Sequence, residues 1–149
     1  MLKRTLFLFS CALIIAGCTE NNVKDPIFFV SEQSIATIVE TDGNRLLSVH
    51  VVAVNDSRSE IGPFTVEISI NDQELQDMIE RESMSISSEH TLKSNEKHGY
   101  GATMTLKDHV PVEEIRAAIE TGRSIEVKLL DKSGRWIATE WIHKVDVVQ

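Results

Sequence analysis

The segment FTVEISI, residues 64–70, alternates apolar and polar side chains without interruption. Successive side chains of a β-strand point to opposite faces, so this alternation predicts a half-buried strand of an antiparallel sheet. The same period of two recurs in YGATMTLK, residues 100–107, and in SIEVKLLD, residues 124–131. These three segments indicate a mainly β protein.

Turn sequences connect further strands to this set. Asp42-Gly43-Asn44 lies between the apolar segments 35–40 and 46–54, and residues 131–134 (DKSG) connect segment 124–130 to segment 135–142. Glycine reaches the left-handed conformation that such hairpins need. After residue 17 the chain has 14 Val and 13 Ile against 7 Leu, a bias that favours strands. We therefore predict an antiparallel β-sandwich, immunoglobulin-like or transthyretin-like.

Two short segments have helical spacing instead. Residues 71–74 (NDQE) resemble a helix N-cap with an acid three residues on, and Leu75, Met78 and Ile79 follow at helical spacing. Pro111 opens a second helix that ends before Gly122. Ile115, Ala118 and Ile119 would form the buried side of the second helix. An α+β layer with both helices on one sheet face is the alternative fold.

The first residues differ in character from the rest. Lys3 and Arg4 precede the apolar run 5–16, which is too short for the roughly 20 residues of a membrane-spanning helix. This run closes on Ile15-Ala16-Gly17-Cys18, which resembles the lipobox of bacterial lipoprotein precursors. The resemblance implies cleavage after Gly17, with Ile15 and Ala16 recognised by the signal peptidase, and lipidation of Cys18. It covers residues 1–18 only and implies nothing about the remaining fold.

These observations divide the chain into three parts. Residues 1–17 would be a removed signal peptide, 18–25 a lipidated cysteine with a polar tether, and 26–149 a single β-sandwich domain. The tether reaches on the order of 25 Å when fully extended. Thr19 follows the cysteine where an Asp would favour the inner membrane of a Gram-negative cell, so the resemblance favours an outer-membrane anchor facing the periplasm.

The charge argues against a nucleic-acid-binding surface, and the cysteine content excludes a disulfide-stabilised scaffold. The whole chain has 15 Lys and Arg against 23 Asp and Glu, a net charge of −8. Without Lys3 and Arg4 the cations number 13 and the net charge is −10. A nucleic-acid-binding surface would need an excess of cations, so nucleic acid is not an expected partner. Cys18 is the only cysteine after residue 17, which excludes a disulfide scaffold.

We predict no catalytic residue, metal or cofactor. The five histidines, at positions 50, 90, 98, 109 and 143, match no metal-ligand spacing, although a folded loop could bring His90 and His98 together. The serines at 83, 85, 87 and 88 belong to no nucleophile motif.

The tryptophans supply the candidate contacts. Trp136 and Trp141 are five residues apart in one strand, so they should point to opposite faces unless a bulge intervenes. We expect Trp136 in the core with Ala138 and Ile142, and Trp141 outside with Ile137. Trp141, Ile137 and Tyr100, the last flanked by two glycines, are the candidate partner contacts.

The leading functional hypothesis is a lipid-anchored envelope protein that binds another protein. It would be an assembly subunit, or an inhibitor or immunity protein whose acidic surface meets a basic partner. The alternatives are a small periplasmic hydrolase and a ligand- or carbohydrate-binding lipoprotein. Tryptophans on opposite faces would disfavour carbohydrate binding.

The lipid anchor leads to the first testable prediction. Replacing Cys18 by Ser removes the thiol that would accept the lipid, so the protein should move from the membrane pellet to the soluble periplasmic fraction. Fractionation followed by immunoblotting measures this. Continued membrane association of the Cys18→Ser variant would contradict the anchor.

Overall fold

The computed structural model describes residues 27–41, 44–80, 83–88, 90–107 and 109–148, with the backbone alone for 83–88. The signal peptide, Cys18, the tether and Asp42-Gly43 of the predicted hairpin lie outside these ranges. The elements, in chain order, are β1 (Ile27–Phe29), a single 3-10 turn (Ser31–Gln33), β2 (Ile35–Thr41), β3 (Asn44–Asn55), β4 (Phe64–Ile70), α1 (Gln73–Met78), β5 (Ser83–Ser88), β6 (Lys97–Thr105), α2 (Val112–Glu120), β7 (Ile125–Leu130), β8 (Trp136–Ile142) and β9 (Val145–Val148).

The strands form two sheets. In the first sheet, β3 pairs with β6 on one side and with both β1 and β2 on the other, and β9 adds to β2. The second sheet has the order β5-β4-β7-β8. Every pair is antiparallel except β2–β9, which is parallel. The predicted antiparallel β-sandwich with two short helices is confirmed.

The alternating segments form the core between the sheets. Val49 and Val51 of the first sheet and Val66, Ile68 and Val127 of the second are fully buried. In β4, which spans the predicted residues 64–70, every second side chain is buried. The alternation therefore identified the inner face of the sandwich, where β-branched side chains interdigitate.

Both helices begin where the sequence predicts. Asp72 accepts a hydrogen bond from the Leu75 amide (2.9 Å) and so caps α1, while Pro111 precedes the first turn of α2. Gly122 ends α2 with a φ of 82°, a conformation that glycine adopts without strain. The predicted stripe of Ile115, Ala118 and Ile119 is buried.

The buried side chains of both helices belong to the same core as the inner faces of the two sheets, so the alternative of an α+β layer with a single sheet is wrong.

Among the residues that the structure describes, no helix has both the length and the apolar character needed to cross a membrane.

The start of the described chain and the helices lie at opposite ends of strand β3. Asn55, its last residue, pairs with Ile27, the first residue that the model describes. At the opposite end of β3, the Arg45 guanidinium donates to the Val110 carbonyl, directly before α2. Ten residues separate Arg45 from Asn55, so the helices lie roughly 33 Å from the start of the described chain.

Strands β1 and β9 were not predicted. Each has only three or four residues and owes its strand conformation to a neighbour, β3 for β1 and β2 for β9. Strand β6 also begins at Lys97, three residues before the predicted segment.

Asn55 holds two loops to the end of β3. Its buried side-chain amide donates to the carbonyl oxygens of Ser59 (2.7 Å) and Leu92 (2.8 Å), and its side-chain oxygen accepts from the amide (3.0 Å) and hydroxyl (2.7 Å) of Ser57. Both loops therefore depend on one buried polar side chain.

Replacing Asn55 by Ala should lower the free energy of unfolding by about 1–3 kcal/mol, because the four hydrogen bonds of its buried side chain are lost and the Leu92 carbonyl keeps only the Ile61 amide (3.0 Å). Urea unfolding followed by circular dichroism measures this. As a control, Gln73→Ala removes an exposed amide and should change stability by no more than about 0.5 kcal/mol. Equal losses for the two variants would contradict the role of Asn55.

Candidate functional site

The outer face of strands β7 and β8 carries both tryptophans. Paired residues of neighbouring strands point to the same side of a sheet. Ile142 pairs with Ile125, and both are buried, so they mark the inner face. Trp141, one residue earlier and paired with Glu126, therefore lies on the outer face.

A β-bulge brings Trp136 to that same face. Ala138 pairs with Leu129 and Trp136 pairs with Leu130, so Ile137 is an extra residue without a counterpart in β7. The bulge shifts the alternation by one residue, and Trp136 is 61% exposed. The expectation that Trp136 belongs to the core is wrong, and its cause is this inserted residue. The pairing partners of Trp136 and Trp141 in β7, Leu130 and Glu126, are four residues apart, roughly 13 Å along the strand.

Polar side chains occupy the space between the two indoles. The Lys128 ammonium lies 5.5 Å from the centre of the Trp136 ring and 2.8 Å from the Glu126 carboxylate, which accepts in turn from the Asn71 amide (3.0 Å). The cation over the indole holds one side of the ring in place. Residues 136–139 line a shallow recess of about 350 Å³.

The turn before β8 fixes the approach to Trp136. The Asp131 carboxylate accepts from the Ser133 hydroxyl (2.6 Å) and from the amides of Ser133 and Arg135 (both 2.9 Å), and it forms an ion pair with Arg135. The hydrogen bond from the Ser133 hydroxyl, followed by the Arg135 amide, lowers the pKa of Asp131 to about 2. Gly134 takes the predicted left-handed conformation, with a φ of 76°.

The other two predicted contacts have different positions. Ile137 is half-buried at the bulge and packs against the core. Tyr100 is only 5% exposed, because residue pairing places it on the inner face opposite Val51. As the structure stands, Tyr100 cannot meet a partner.

His90 and His98 do come together, a question that the sequence left open. Their rings stack with centres 4.2 Å apart, and His98 meets the Tyr100 ring edge-on at 4.8 Å. The His90 ring lies 3.2 Å from the Glu96 carboxylate, whose pKa is lowered chiefly by the hydrogen bond from the Lys93 amide. Burial, followed by the charge of Glu96, raises the pKa of Tyr100. Within the described ranges, no three His, Cys, Asp or Glu side chains form a group that could hold a metal ion.

A groove of about 690 Å³ separates α1 from α2. Its floor is apolar and includes Met78, Val110 and Ala118, and its walls carry the acidic side chains of Asp72, Glu74, Asp77 and Glu114. The sequence analysis did not predict this groove, in which Glu114 belongs to the first turn of α2. The signal available was the number of acids in both helices, but their closeness depends on how the helices pack.

The comparisons with known proteins assign no family. No family model matches the chain, and no curated protein matches it. Distant similarity to solved structures includes an alkylpurine DNA glycosylase of Pseudomonas fluorescens bound to DNA (8% identity, TM-score 0.41, 81% of this chain) and a GH20 exo-β-N-acetylglucosaminidase of Vibrio harveyi (10% identity, TM-score 0.36, 83% of this chain). The chain spans 30% and 18% of those two proteins. Similarity at this level carries no argument about function.

The turn at Asp131 gives a prediction with a defined sign. Because the folded-state pKa of about 2 lies below the ordinary 3.8, the carboxylate stabilises the turn above about pH 4, and this contribution is lost as the pH falls towards 2. Ser133→Ala removes the main hydrogen bond and should raise the pKa of Asp131 towards 3.8. Carboxyl carbon-13 NMR titration measures it, with Lys132→Ala as control. An unchanged pKa in Ser133→Ala would contradict this assignment.

Proposed function

We propose that this protein is a lipid-anchored protein of the bacterial envelope, held at the outer membrane, that binds another protein through the outer face of β8. The observation that carries the binding part of the proposal is the bulge at Ile137, which puts Trp136 and Trp141 on one face. The lipobox-like segment ending at Cys18 supports the anchor. The proposed role is that of an assembly subunit or an inhibitor.

The character of this face supports a protein partner. Tryptophan is enriched at the energetic centres of protein interfaces, because its large ring combines apolar area with one hydrogen-bond donor. Trp136 and Val148 are the large apolar side chains that the described residues leave well exposed, at 61% and 52%. Of these, Trp136 lies beside polar groups already held in position by hydrogen bonds and a cation contact. Such a face loses little side-chain freedom when a partner binds.

Carbohydrate binding is the second candidate, and the same bulge favours it. Two indoles on one face, attached at backbone positions about 13 Å apart along the strand, could stack against separate rings of a glycan. Glu126, Lys128 and Asn71 lie in this region as hydrogen-bonding groups. The sequence argument against a two-tryptophan surface therefore no longer holds.

One experiment distinguishes the two candidates. A photo-crosslinking amino acid replaces Thr139, which is exposed on the outer face of β8 beside Trp136 and Trp141, in the full chain in its native envelope. Thr103, exposed on the outer face of the other sheet, is the control position. A protein partner predicts a discrete, protease-sensitive adduct at position 139 and none at 103. A glycan predicts no protein adduct and a slower migration of the wild-type protein in gels containing soluble polysaccharide.

Substitutions then measure the contribution of the face. Trp136→Ala and Trp141→Ala should each weaken binding of the captured partner at least about tenfold, or about 1.4 kcal/mol. Val148→Ala removes the other exposed apolar side chain and should leave binding unchanged. Equal binding by all three variants would contradict the proposed contact face.

A further inference from the structure

The groove between α1 and α2 combines apolar and acidic surfaces. Val110 is 7% and Ala118 6% exposed, and Met78 is half-buried, so the floor continues the core. Above it, Glu74, Asp77 and Glu114 are exposed. A volume of about 690 Å³ lies within the range of clefts that bind ligands or several side chains of a partner.

The acids of the groove form no ion pair with any residue that the structure describes. These acids are Asp72, Glu74, Asp77 and Glu114. Lys107 lies close by, but its ammonium donates to the Asp77 main-chain carbonyl (2.6 Å). The Asp72 carboxylate accepts a hydrogen bond from the Leu75 amide, and the Asp77 carboxylate accepts one from the Gln73 side-chain amide (3.2 Å). The groove therefore presents a negative potential to any occupant.

The position of the groove favours a partner away from the membrane. The groove lies at the end of the sandwich opposite Ile27, where the tether would join the domain. Nine residues connect Cys18 to Ile27 and reach roughly 30 Å when extended, so the Ile27 end is the one held at the lipid. The groove, roughly 33 Å further along β3, faces outward from that end.

We propose that this groove binds a basic, amphipathic segment of a partner protein. Its apolar side chains would cover Met78, Val110 and Ala118, and its lysines or arginines would meet Glu74, Asp77 and Glu114. Charge complementarity selects this occupant, because an acidic or uncharged segment would leave the carboxylates unpaired or desolvated. The inference goes beyond the proposed function, since it concerns a second surface that does not involve the tryptophans.

The test uses the full chain, solubilised in detergent, and synthetic peptides of about 18 residues, five helical turns. A Leu/Lys peptide has one apolar and one basic face, a Ser/Lys peptide keeps only the charge, and a Leu/Glu peptide keeps only the apolar face. Calorimetric titration should show tightest binding for the Leu/Lys peptide, weakening at least tenfold between about 0.05 and 0.5 M salt. Equally tight binding of the Ser/Lys or Leu/Glu peptide would overturn the proposal.

Variants locate the binding on the protein. The double substitution Glu74→Lys with Glu114→Lys should weaken binding of the Leu/Lys peptide at least tenfold. Ala117→Trp should also weaken binding of this peptide at least tenfold, because the larger side chain fills the groove without a change of charge. The matched control, Glu32→Lys with Asp146→Lys, makes the same change of net charge at exposed sites outside the groove and should leave binding unchanged.

The remaining outcomes also support or overturn the proposed binding at the groove. Circular dichroism and the melting temperature establish that each variant is folded, so a loss of binding reports on the groove. If the control weakens binding as much as the groove variant, general acidity explains the binding and the proposal fails. It also fails if the chain forms dimers that Glu74→Lys with Glu114→Lys dissociates, because the occupant is then a second copy. Failure here leaves the tryptophan face untouched, and the crosslink at position 139 tests that face separately.

Discussion

The length of strand β3 is the constraint on which the rest of the structure depends. It has twelve residues, whereas β4 and β8 of the opposite sheet have seven each. Near the Arg45 end of this strand, the apolar side chains of Leu47 and Leu106 are fully buried, so a further layer must cover them. The helices supply it: the chain pairs Ile79 with Leu106 directly after α1, and Leu75 and Ile115 are fully buried in the same core. The groove between the helices is a consequence of this cover.

The sequence predicted the elements whose signals are local. FTVEISI alternates over its whole length, and Asp72, Pro111 and Gly122 mark helix ends through their own backbone chemistry. Strands β1 and β9 have no such signal, because three or four residues form a strand only when a neighbour supplies the hydrogen bonds. The parallel pairing of β2 with β9 likewise depends on the chain crossing from one sheet to the other after Ile142.

The candidate sites could be predicted far less well than the fold. A single inserted residue, Ile137, reverses the face to which Trp136 points, and no turn residue or glycine in the segment announces it. Tyr100 shows the opposite difference, because it was expected at a contact surface and is buried. Its flanking glycines were the reason to expect a contact there, but both lie in strand β6, where a Cβ at Gly99 would lie 2.7 Å from the His50 ring. Gly99 therefore makes room for a histidine, and the tyrosine between the two glycines is buried.

The acidity of the domain now has a more specific meaning than solubility. Without residues 1–17 the chain has a net charge of −10, which anionic headgroups would repel, so in the proposed envelope protein the lipid would have to supply the anchoring. The groove carries four carboxylates without an ion pair among the described residues, and it lies at the end of β3 opposite Ile27, which the proposed tether would join. Charge repulsion and the tether would then act together, because both favour the orientation in which the groove faces away from the lipid and towards a basic partner.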